Sequence, residues 1–495
     1  MNIFHVVLII LLLFSCSFPD PSSAVAQDQG SESSGCEITV IGNVHVIPMD
    51  REKILPNMDV VICGDRIVSL AQAGENTIHK GAKVIDGTGL WLMPGLADMH
   101  IHPNPGWFSA DWPVNPLKLY LAHGVTTVRC LGPELDESGS GEYIFSWRRK
   151  IQKGQLVGPT IYSSGPILFG PVTHPEAEVL RQSEVGFDFV KLYSYLTPRE
   201  FQRAVATAKS QGIYTVGHVP MMVGLDSTLQ AGMNEIAHIE ELAWEFGQID
   251  LGRRDLKGGE WIRYSGKMLY DFFRNALDLS VEQIINTYRE TLLTIADKVK
   301  DADVTVVTTL YLDQIIIDKL TDPDEFLSRA EVQLLPHSYR ERVAQGKDKH
   351  QLMFKDVEEF AKFKRNLDLA LLWALRTKGV RIVAGTDSGT GGMGISPGIS
   401  LHQELRILVE AGYSPYEAIA ASTVVSSQVT ASMIGDDEFG IIGPGKRADL
   451  LLLGANPLDD IEAIQQIQGV MAAGRWYDKE TLSNWHIPSN APHQR

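Results

Sequence analysis

Residues 92–102 read LMPGLADMHIH, an apolar run with one Pro-Gly step that ends on two histidines separated by an isoleucine. In a β-strand, alternate side chains point to the same face. His100 and His102 would therefore share one face, with Asp98 on that face two residues earlier. Two imidazoles that converge at a strand end suit a divalent metal ion. For an isolated His-x-His, two polar residues at a strand-to-loop junction would be an equally good interpretation.

Seven further apolar segments with strand-like sequence follow this one, and helical sequence separates several of them. The stretch that begins at Thr197 predicts a helix ending near Gly212, which makes a βαβ unit with its flanking segments. Eight strands with buried-type sequences predict an α/β protein with a (β/α)8 (TIM) barrel over residues 94–435. The eight segments are 95–102, 124–132, 160–169, 187–193, 213–219, 235–240, 304–310 and 381–388.

Short alternating β-segments lie on both sides of the predicted barrel. Residues 36–93 alternate apolar and polar side chains between Gly- and Asp-containing turns, and residues 436–480 return to this pattern. We expect the two segments to form one small composite domain that resembles a β-sandwich. The long intervals 241–303 and 311–380 contain helical patterns and are expected to cover the barrel mouth as lids.

The first residues predict export. Residues 1–26 contain an apolar run that is too short to span a bilayer and is typical of a signal peptide. It is either a lipoprotein-type signal with Cys16 acylated or an ordinary signal cleaved after Ala-Val-Ala at 24–26, and a linker follows at 27–35. We therefore expect a periplasmic, outer-membrane lipoprotein or secreted protein, whose only membrane contact would be an N-terminal lipid anchor.

Composition narrows the choice of partners. The 495 residues include 61 acidic and 44 basic ones, a net charge of −17, and no Lys/Arg cluster marks a nucleic-acid surface. A small-molecule substrate is the expected partner, and a homo-oligomer stays open. The cysteines beyond the predicted signal, Cys36, Cys63 and Cys130, show neither a disulfide framework nor a zinc-ribbon spacing, and one bridge among them stays open.

Side chains that can carry chemistry recur at the ends of the predicted barrel strands, where such barrels hold their sites. Each of them alone is explained by a structural role, but their repetition at one rim predicts a metal site. Imidazoles and carboxylates bind zinc or similar ions. A charged lysine cannot, but a carbamylated lysine carries a carboxylate that can bridge two ions. The six residues are His100, His102, Lys191, His218, His238 and Asp387.

These segments resemble the binuclear-metal branch of the amidohydrolase superfamily, and they are similar to imidazolonepropionase-related and prolidase-like dipeptidase members. The resemblance extends from about residue 36 to residue 478. It rests on the motifs PGLADMHIH, GVTTVR, FDFVKLY, TVGHVP, IAHIEE, AGTDSG, LHQELRILVEAGYSPYEAIAAST and GPGKRADLLLLGANPL.

The resemblance implies a role for each strand-end residue. His100 and His102 would bind the buried metal, and a carbamylated Lys191 would bridge two divalent ions, with zinc as the default. His218 and His238 would bind the second metal, and Asp387 would be both a ligand and the catalytic base. Outside this set, we assign Tyr193 to a substrate carboxylate and His174 to the mouth of the site, although a structural role explains each of them equally well.

The resulting hypothesis is a metal-dependent hydrolase that cleaves the amide bond of a dipeptide or of an N-acyl or cyclic amino acid, by attack of a hydroxide held between the metals. Esterase, lactonase or phosphotriesterase activity at the same site is an alternative. A mononuclear deaminase is another, although such enzymes commonly carry a glutamate three residues after the strand-five histidine, where this chain has Met221. A non-catalytic metal-binding protein would need neither Lys191 nor Asp387.

Overall fold

The computed structural model describes residues 36–75, 81–247, 250, 253, 256–257, 259–390, 392–435 and 438–487. The chain divides into two units, Met1–Cys36 and Glu37–Arg495. The predicted signal peptide (1–26) and linker (27–35) lie outside the described residues. Cys36 and Cys63 are disulfide-bonded, and Cys130 is a buried free thiol.

Strands occur in three groups along the described chain. The strands are β1 (Ile38–Val46), β2 (Leu55–Cys63), β3 (Arg66–Gln72), β4 (Lys83–Asp86), β5 (Trp91–Pro94), β6 (Leu96–Ile101), β7 (Val125–Cys130), β8 (Thr160–Ser163), β9 (Val190–Leu192), β10 (Thr215–Gly217), β11 (Glu235–Ala237), β12 (Thr305–Val307), β13 (Ile382–Val383), β14 (Leu450–Leu453), β15 (Ile467–Ala472) and β16 (Arg475–Asp478).

Helices lie mostly between the strands of the middle group and in the long intervals. The α-helices are α1 (Pro116–Ala122), α2 (Tyr143–Gln152), α3 (Pro175–Val185), α4 (Pro198–Ser210), α5 (Leu225–Ala231), α6 (Gly259–Phe273), α7 (Val281–Asp301), α8 (Tyr311–Thr321), α9 (Pro323–Ser328), α10 (His337–Ala344), α11 (Lys349–Met353), α12 (Glu358–Lys378), α13 (Ile399–Glu410), α14 (Pro415–Ala421), α15 (Val424–Ile434) and α16 (Lys479–Asn484). The 3-10 helices are Pro105–Phe108, Ile239–Phe246, Val332–Leu334 and Ile461–Gln465.

Strands from both ends of the described chain form one sheet of eight strands. Its order is β16-β15-β14-β5-β1-β2-β3, and β4 pairs with β1. The junction is antiparallel pairing of β14 with β5, in which Leu452 lies opposite Leu92. Both of these leucines are buried, so apolar packing accompanies the backbone hydrogen bonds. The sandwich-like form of the composite domain and the exact domain boundaries stay predictions.

Eight parallel strands follow in two sheets, β6-β7-β8 and β9 to β13. All eight lie within the segments that the sequence predicts as strands. A parallel bridge between Ser164 and Phe189 joins β8 to β9 at one pair of sheet edges. At the other pair, a bridge between Ile101 and Ser388 joins the end of β6 to the residues after β13. The architecture is therefore mixed α/β, with first and last parallel strands in contact.

The predicted helix after β9 shows how the sequence sets an element boundary. The Oγ1 atom of Thr197 accepts a hydrogen bond from Glu200 N, and the Glu200 carboxylate accepts one from Thr197 N. This capping box satisfies two of the backbone donors that a helix start leaves free. Phe201, Val205 and Ala208 are buried along one stripe of α4, as the sequence pattern predicts.

The long intervals after β11 and β12 contain α6, α7 and α8 to α12. Side chains from both intervals line the cavity described below. Their action as moving lids stays a prediction. Among the described residues, none of the helices combines the length and the apolar character that crossing a bilayer requires.

A buried ion pair ties three of the parallel strands together. Arg129 on β7 donates to both carboxylate oxygens of Glu235 on β11 and to the carbonyl oxygen of Met99 on β6. Tyr214 Oη also donates to Glu235 Oε2 (2.9 Å). The two charged side chains are completely inaccessible to solvent. Because each charge is buried, each depends on the other.

We expect Arg129→Met or Glu235→Leu alone to lower the free energy of unfolding by about 3–5 kcal/mol, because each leaves the opposite charge buried and unpaired. The double variant should lose less than the sum of the two single losses. Urea denaturation followed by circular dichroism measures this. Arg381→Met, which removes an exposed ion pair with Asp303, is the control and should cost under about 1 kcal/mol. Additive losses in the double variant would contradict the expected coupling.

Candidate active site

Three of the predicted metal ligands meet at one point. His100 Nε2 and His102 Nε2 lie 3.1 Å apart. Asp387 Oδ1 lies 3.5 Å from the first of these atoms and 3.0 Å from the second. All three donor atoms fall within 4.8 Å of one another, a spacing that one divalent ion can bridge. The first and last parallel strands therefore deliver their side chains to the same place.

Asp98 holds together the two chain segments that carry these ligands. Its Oδ1 accepts hydrogen bonds from His100 N (3.2 Å) and Thr386 N (3.1 Å), and its Oδ2 accepts one from Thr386 Oγ1 (2.6 Å). Burial raises the pKa of Asp98 to about 7, and these hydrogen bonds oppose that rise. His102 is oriented separately, because its Nδ1 lies 2.7 Å from the carbonyl oxygen of Gly132. Asp98 thus positions two ligands without facing the metal point itself.

His218 and His238 continue the cluster. The ring centroid of His238 lies 4.5 Å from that of His100 and 4.8 Å from that of His218. His218 Nδ1 is hydrogen-bonded to Glu241, which also accepts from Val219 N (3.1 Å). His238 Nδ1 lies 2.9 Å from Thr309 Oγ1. With Nδ1 engaged in both rings, Nε2 is the atom available to a metal.

Lys191 lies among these histidines with its amine unsatisfied. The residue is 1% exposed, and among the described residues its Nζ has no hydrogen-bond partner. Burial lowers the pKa of Lys191 to about 7, against the opposing pull of Asp387 and Glu241. A buried amine near neutrality can lose its proton and react with CO2, whereas a charged ammonium ion cannot. The site thus fits a carbamylated lysine and the pair of ions that it would bridge.

Three of the histidines stay neutral, as metal ligands must. Burial lowers the pKa of His100 and His218 well below the usual range, and the neighbouring Lys191 adds to this. Burial and His218 lower the pKa of His238 to about 3. Burial opposes ionisation of Asp387, but the hydrogen bond and positive potential from His102 outweigh it and hold its pKa below the usual range. The cluster therefore presents neutral imidazoles and one carboxylate.

Three residues at this site have strained backbone conformations. His238, Thr309 and Asp387 adopt positive φ angles of 75°, 54° and 62°. Such conformations cost non-glycine residues about 1–3 kcal/mol each and persist where the surrounding structure imposes them. Here His238 and Asp387 are candidate metal ligands, and the hydroxyl of Thr309 orients His238.

A cavity of about 1300 Å³ opens onto these residues. Its inner end is lined by His102, Lys191, His218, His238 and Asp387, and its outer walls come largely from the two long intervals. His100 is fully buried beneath them. The cavity is therefore an access route to the ligand cluster.

The structure treats the two predicted substrate contacts differently. Tyr193 lines the cavity, with its ring 4.3 Å from that of His218 and stacked 4.4 Å from that of Phe169. His174 does not line the cavity: it is exposed and precedes Pro175, which begins α3. The assignment of His174 to the mouth of the site stays a prediction.

Sequence reasoning missed the residues that hold the ligands. Glu241 and Thr309 orient His218 and His238, and Glu241 had a visible signal, since it follows His238 by three residues in IAHIEE. Thr309 lies 71 positions from His238 in the sequence, and no sequence signal marked it. Burial and the neighbouring Glu240 raise the pKa of Glu241 to about 8, and the backbone hydrogen bond from Val219 opposes that rise.

A second cluster of carboxylates lies beside the site, and a lysine already pairs with it. The carboxylates of Glu240, Asp313 and Asp368 lie close enough to hold a metal ion. Lys364 Nζ lies 2.7 Å, 2.8 Å and 2.8 Å from them. An ammonium ion therefore occupies the position that a cation would take. This group is a structural ion-pair network beside the predicted metal site.

Comparisons with known proteins agree with this geometry. Residues 343–477, which include Asp387, match the amidohydrolase family. An adenine deaminase of Staphylothermus marinus is 37% identical over 214 residues, which cover 39% of this chain and 34% of that protein. An imidazolonepropionase of Stenotrophomonas maltophilia is 41% identical over 66 residues, which cover 13% of this chain and 16% of that protein. The chain thus spans only about a third or less of each relative.

A solved structure of a Xaa-Pro dipeptidase with bound methionine covers 89% of this chain and 100% of its own, with a TM-score of 0.60 and 19% identity. At this identity the likeness shows the fold. The resemblance to imidazolonepropionase-related and prolidase-like amidohydrolases is thereby confirmed.

Glu241→Ala should weaken metal binding about 10- to 100-fold, because His218 loses the carboxylate that fixes its ring and tautomer. Titration with zinc in competition with a chromophoric chelator measures the change. Glu240→Gln is the matched control, because the neighbouring carboxylate contacts Lys364 instead. Equal zinc affinity in Glu241→Ala and the wild-type protein would remove Glu241 from the metal site.

Proposed function

We propose that this protein is a metal-dependent hydrolase that cleaves the carbon–nitrogen bond of a small amide, such as a dipeptide or an N-acyl or cyclic amino acid. The observation that supports it best is the meeting of His100, His102 and Asp387 beside Lys191 in one buried cluster. The amidohydrolase match and the fold likeness to a dipeptidase point the same way. The bridges between the two parallel sheets support a closed (β/α)8 barrel as the scaffold.

Two divalent ions, with zinc as the default, fit the donor set: His100, His102 and Asp387 for one, His218 and His238 for the other, and a carbamylated Lys191 between them. When bound, such a pair polarises the substrate carbonyl and acidifies water. The protein supplies neutral imidazoles, fixed by Glu241 and Thr309, and a dry inner chamber in which these charges act strongly.

Asp387 is the residue positioned to move the proton. Its carboxylate is ionised and lies beside the imidazoles of His100 and His102. It would take one proton from the attacking water and deliver it to the amide nitrogen as the carbon–nitrogen bond breaks. The water oxygen then stays on the acyl carbon, its second proton passes to the leaving nitrogen, and the products are a carboxylate and an ammonium ion. Tyr193, at the same end of the cavity, would donate its hydroxyl hydrogen to a substrate carboxylate.

Export of the protein is part of the proposal. Its support is the apolar run within residues 1–26, in either the lipoprotein-type or the ordinary form of signal. A small-molecule substrate and the absence of a nucleic-acid partner rest on the acidic composition and the buried site.

Deamination of an amino-substituted heterocycle is the second candidate, favoured by the similarity to adenine deaminases. The residue three positions after His218 is Met221, which lines the cavity and offers no carboxyl group there. A screen of the metal-loaded protein against dipeptides, N-acyl amino acids and aminopurines separates the two. Release of amino acid supports amide hydrolysis and release of ammonia supports deamination. Turnover of esters or phosphotriesters alone would overturn both.

Asp387→Asn should lower kcat by about 10²- to 10⁴-fold, because the amide cannot accept the proton of the attacking water. The measurements are kcat on the best amide from the screen and metal content by mass spectrometry, which should stay close to that of the wild-type protein. Full turnover in a metal-loaded Asp387→Asn protein would rule out this residue as the base.

Lys191→Met should reduce the metal content from two ions to about one and abolish turnover, since no carbamate can then bridge them. Without metal, the same variant should be at least as stable as the wild-type protein, because a buried amine that has no partner is replaced by an apolar side chain. Metal analysis and the thermal midpoint Tm of the metal-free proteins test this. An unchanged metal content in Lys191→Met would refute a bridging lysine.

A further inference from the structure

The outer cavity is much larger than the ligand cluster needs. Its volume of about 1300 Å³ exceeds the roughly 1,000 Å³ at the upper end of pockets for drug-sized ligands. A dipeptide would leave much of this space to water. The substrate that fits it carries an additional bulky group.

The wall that faces this extra space is apolar. It is built by helices of the intervals after β11 and β12. Its main side chains are Trp244, Tyr270, Ile316, Met353, Phe354 and Phe360. Aromatic and aliphatic side chains that surround a cavity favour a ligand with a long apolar arm.

One helix adds positive charge to the same cavity. Arg263, Gly266, Lys267 and Tyr270 of α6 all line it, at the spacing i, i+3, i+4 and i+7 that marks one helix face. Among the described residues, Arg263 has no ion-pair partner, and Lys267 has only an exposed pair with Asp271 (2.5 Å). In a chain of net charge −17, two accessible cations beside an apolar chamber favour an anionic ligand group.

Gly266 is the second observation on this face. A Cβ atom at this position would meet no atom within 4 Å, so packing does not demand a glycine there. Glycine within a helix lowers stability relative to alanine. Gly266 lies between two cations on the cavity wall, and packing does not require a glycine there. It leaves room for a ligand to approach the helix backbone.

The α6 helix is tied to the reaction end of the cavity. Ser265 Oγ donates to Met221 Sδ (3.4 Å), and Met221 follows His218 by three residues. Trp261 is buried on the opposite side of α6. The charged face is therefore held at a fixed position relative to the strand that carries His218.

We infer that the substrate is an N-acyl amino acid with an extended acyl chain and a free carboxylate. The acyl chain lies against the apolar wall, and the one carboxylate that Tyr193 would contact also binds to Arg263 and Lys267 across Gly266. This inference rests on the proposed amide hydrolysis, in which the acyl–nitrogen bond breaks, water oxygen joins the acyl carbon, and the amino acid leaves with the proton on its nitrogen. The products are a fatty acid and a free amino acid.

The test compares N-decanoyl-L-alanine, N-acetyl-L-alanine and N-decanoyl-L-alaninamide on the metal-loaded protein. We expect kcat/KM for the decanoyl acid to exceed that of each other compound by at least about tenfold. Arg263→Gln should lower it about tenfold for the acid and under about twofold for the amide. Arg274→Gln, an exposed arginine just after α6 that does not line the cavity, is the matched control and should change neither.

Gly266→Leu separates ligand exclusion from misfolding. It should preserve or raise Tm, because leucine favours the helix, while it lowers kcat/KM for the decanoyl acid. Equal turnover of the acid and the amide, with no effect of Arg263→Gln, would overturn the inference and leave the hydrolase proposal intact.

Binding to Asp387→Asn, followed by tryptophan fluorescence, makes the two failures distinguishable. If no amide is cleaved but N-decanoyl-L-alanine binds with a dependence on Arg263, the binding site stands and the hydrolase proposal falls. If the decanoyl acid and its amide bind equally well to this variant, the assignment of the carboxylate to α6 is wrong.

Discussion

The buried carboxylate of Asp98 is the constraint on which the site depends. It holds the backbone of His100 on the first parallel strand and both the backbone and the hydroxyl of Thr386 after the last one. Asp98 and Thr386 are 288 positions apart in sequence, and the bridge between Ile101 and Ser388 lies directly beyond them. Together with the backbone hydrogen bonds from Asp387 N to His100 O and from His102 N to Ser388 O, this link holds the imidazoles of His100 and His102 beside the carboxylate of Asp387.

Burial is the second constraint, because it acts on all of these groups together. It keeps the histidines neutral, brings the pKa of Lys191 to about 7, and makes each orienting partner important. The positive φ angles of His238, Thr309 and Asp387 show that the backbone adopts energetically unfavourable conformations where it directs these side chains into the site. Stability therefore comes from elsewhere, and the ion pair of Arg129 with Glu235 is one buried feature that joins the strands below the site.

The sequence predicted the elements whose signals are local. Strand segments show in runs of buried-type residues, and the start of α4 shows in Thr197 and Glu200. Strand-end residues such as His218 could be found because parallel strands place equivalent ends at one rim. No local sequence pattern marks residues that meet only because distant parts of the chain fold together. Examples are Thr309 beside His238 and Lys364 among three carboxylates. The position of His174 relative to the rim depends on where α3 begins, which the sequence pattern does not fix, so its role stays a prediction.

The eight-stranded sheet has a consequence for how the chain is made. Its strand β5 is synthesised early, but the neighbour that pairs with it, β14, begins only at Leu450. During translation, the edge of β5 that pairs with β14 therefore stays unpaired until almost the whole polypeptide has left the ribosome. Unpaired edges of this kind recruit other chains. We therefore expect a chain truncated before Leu450 to aggregate more readily than the full chain, because the edge of β5 that β14 covers stays open.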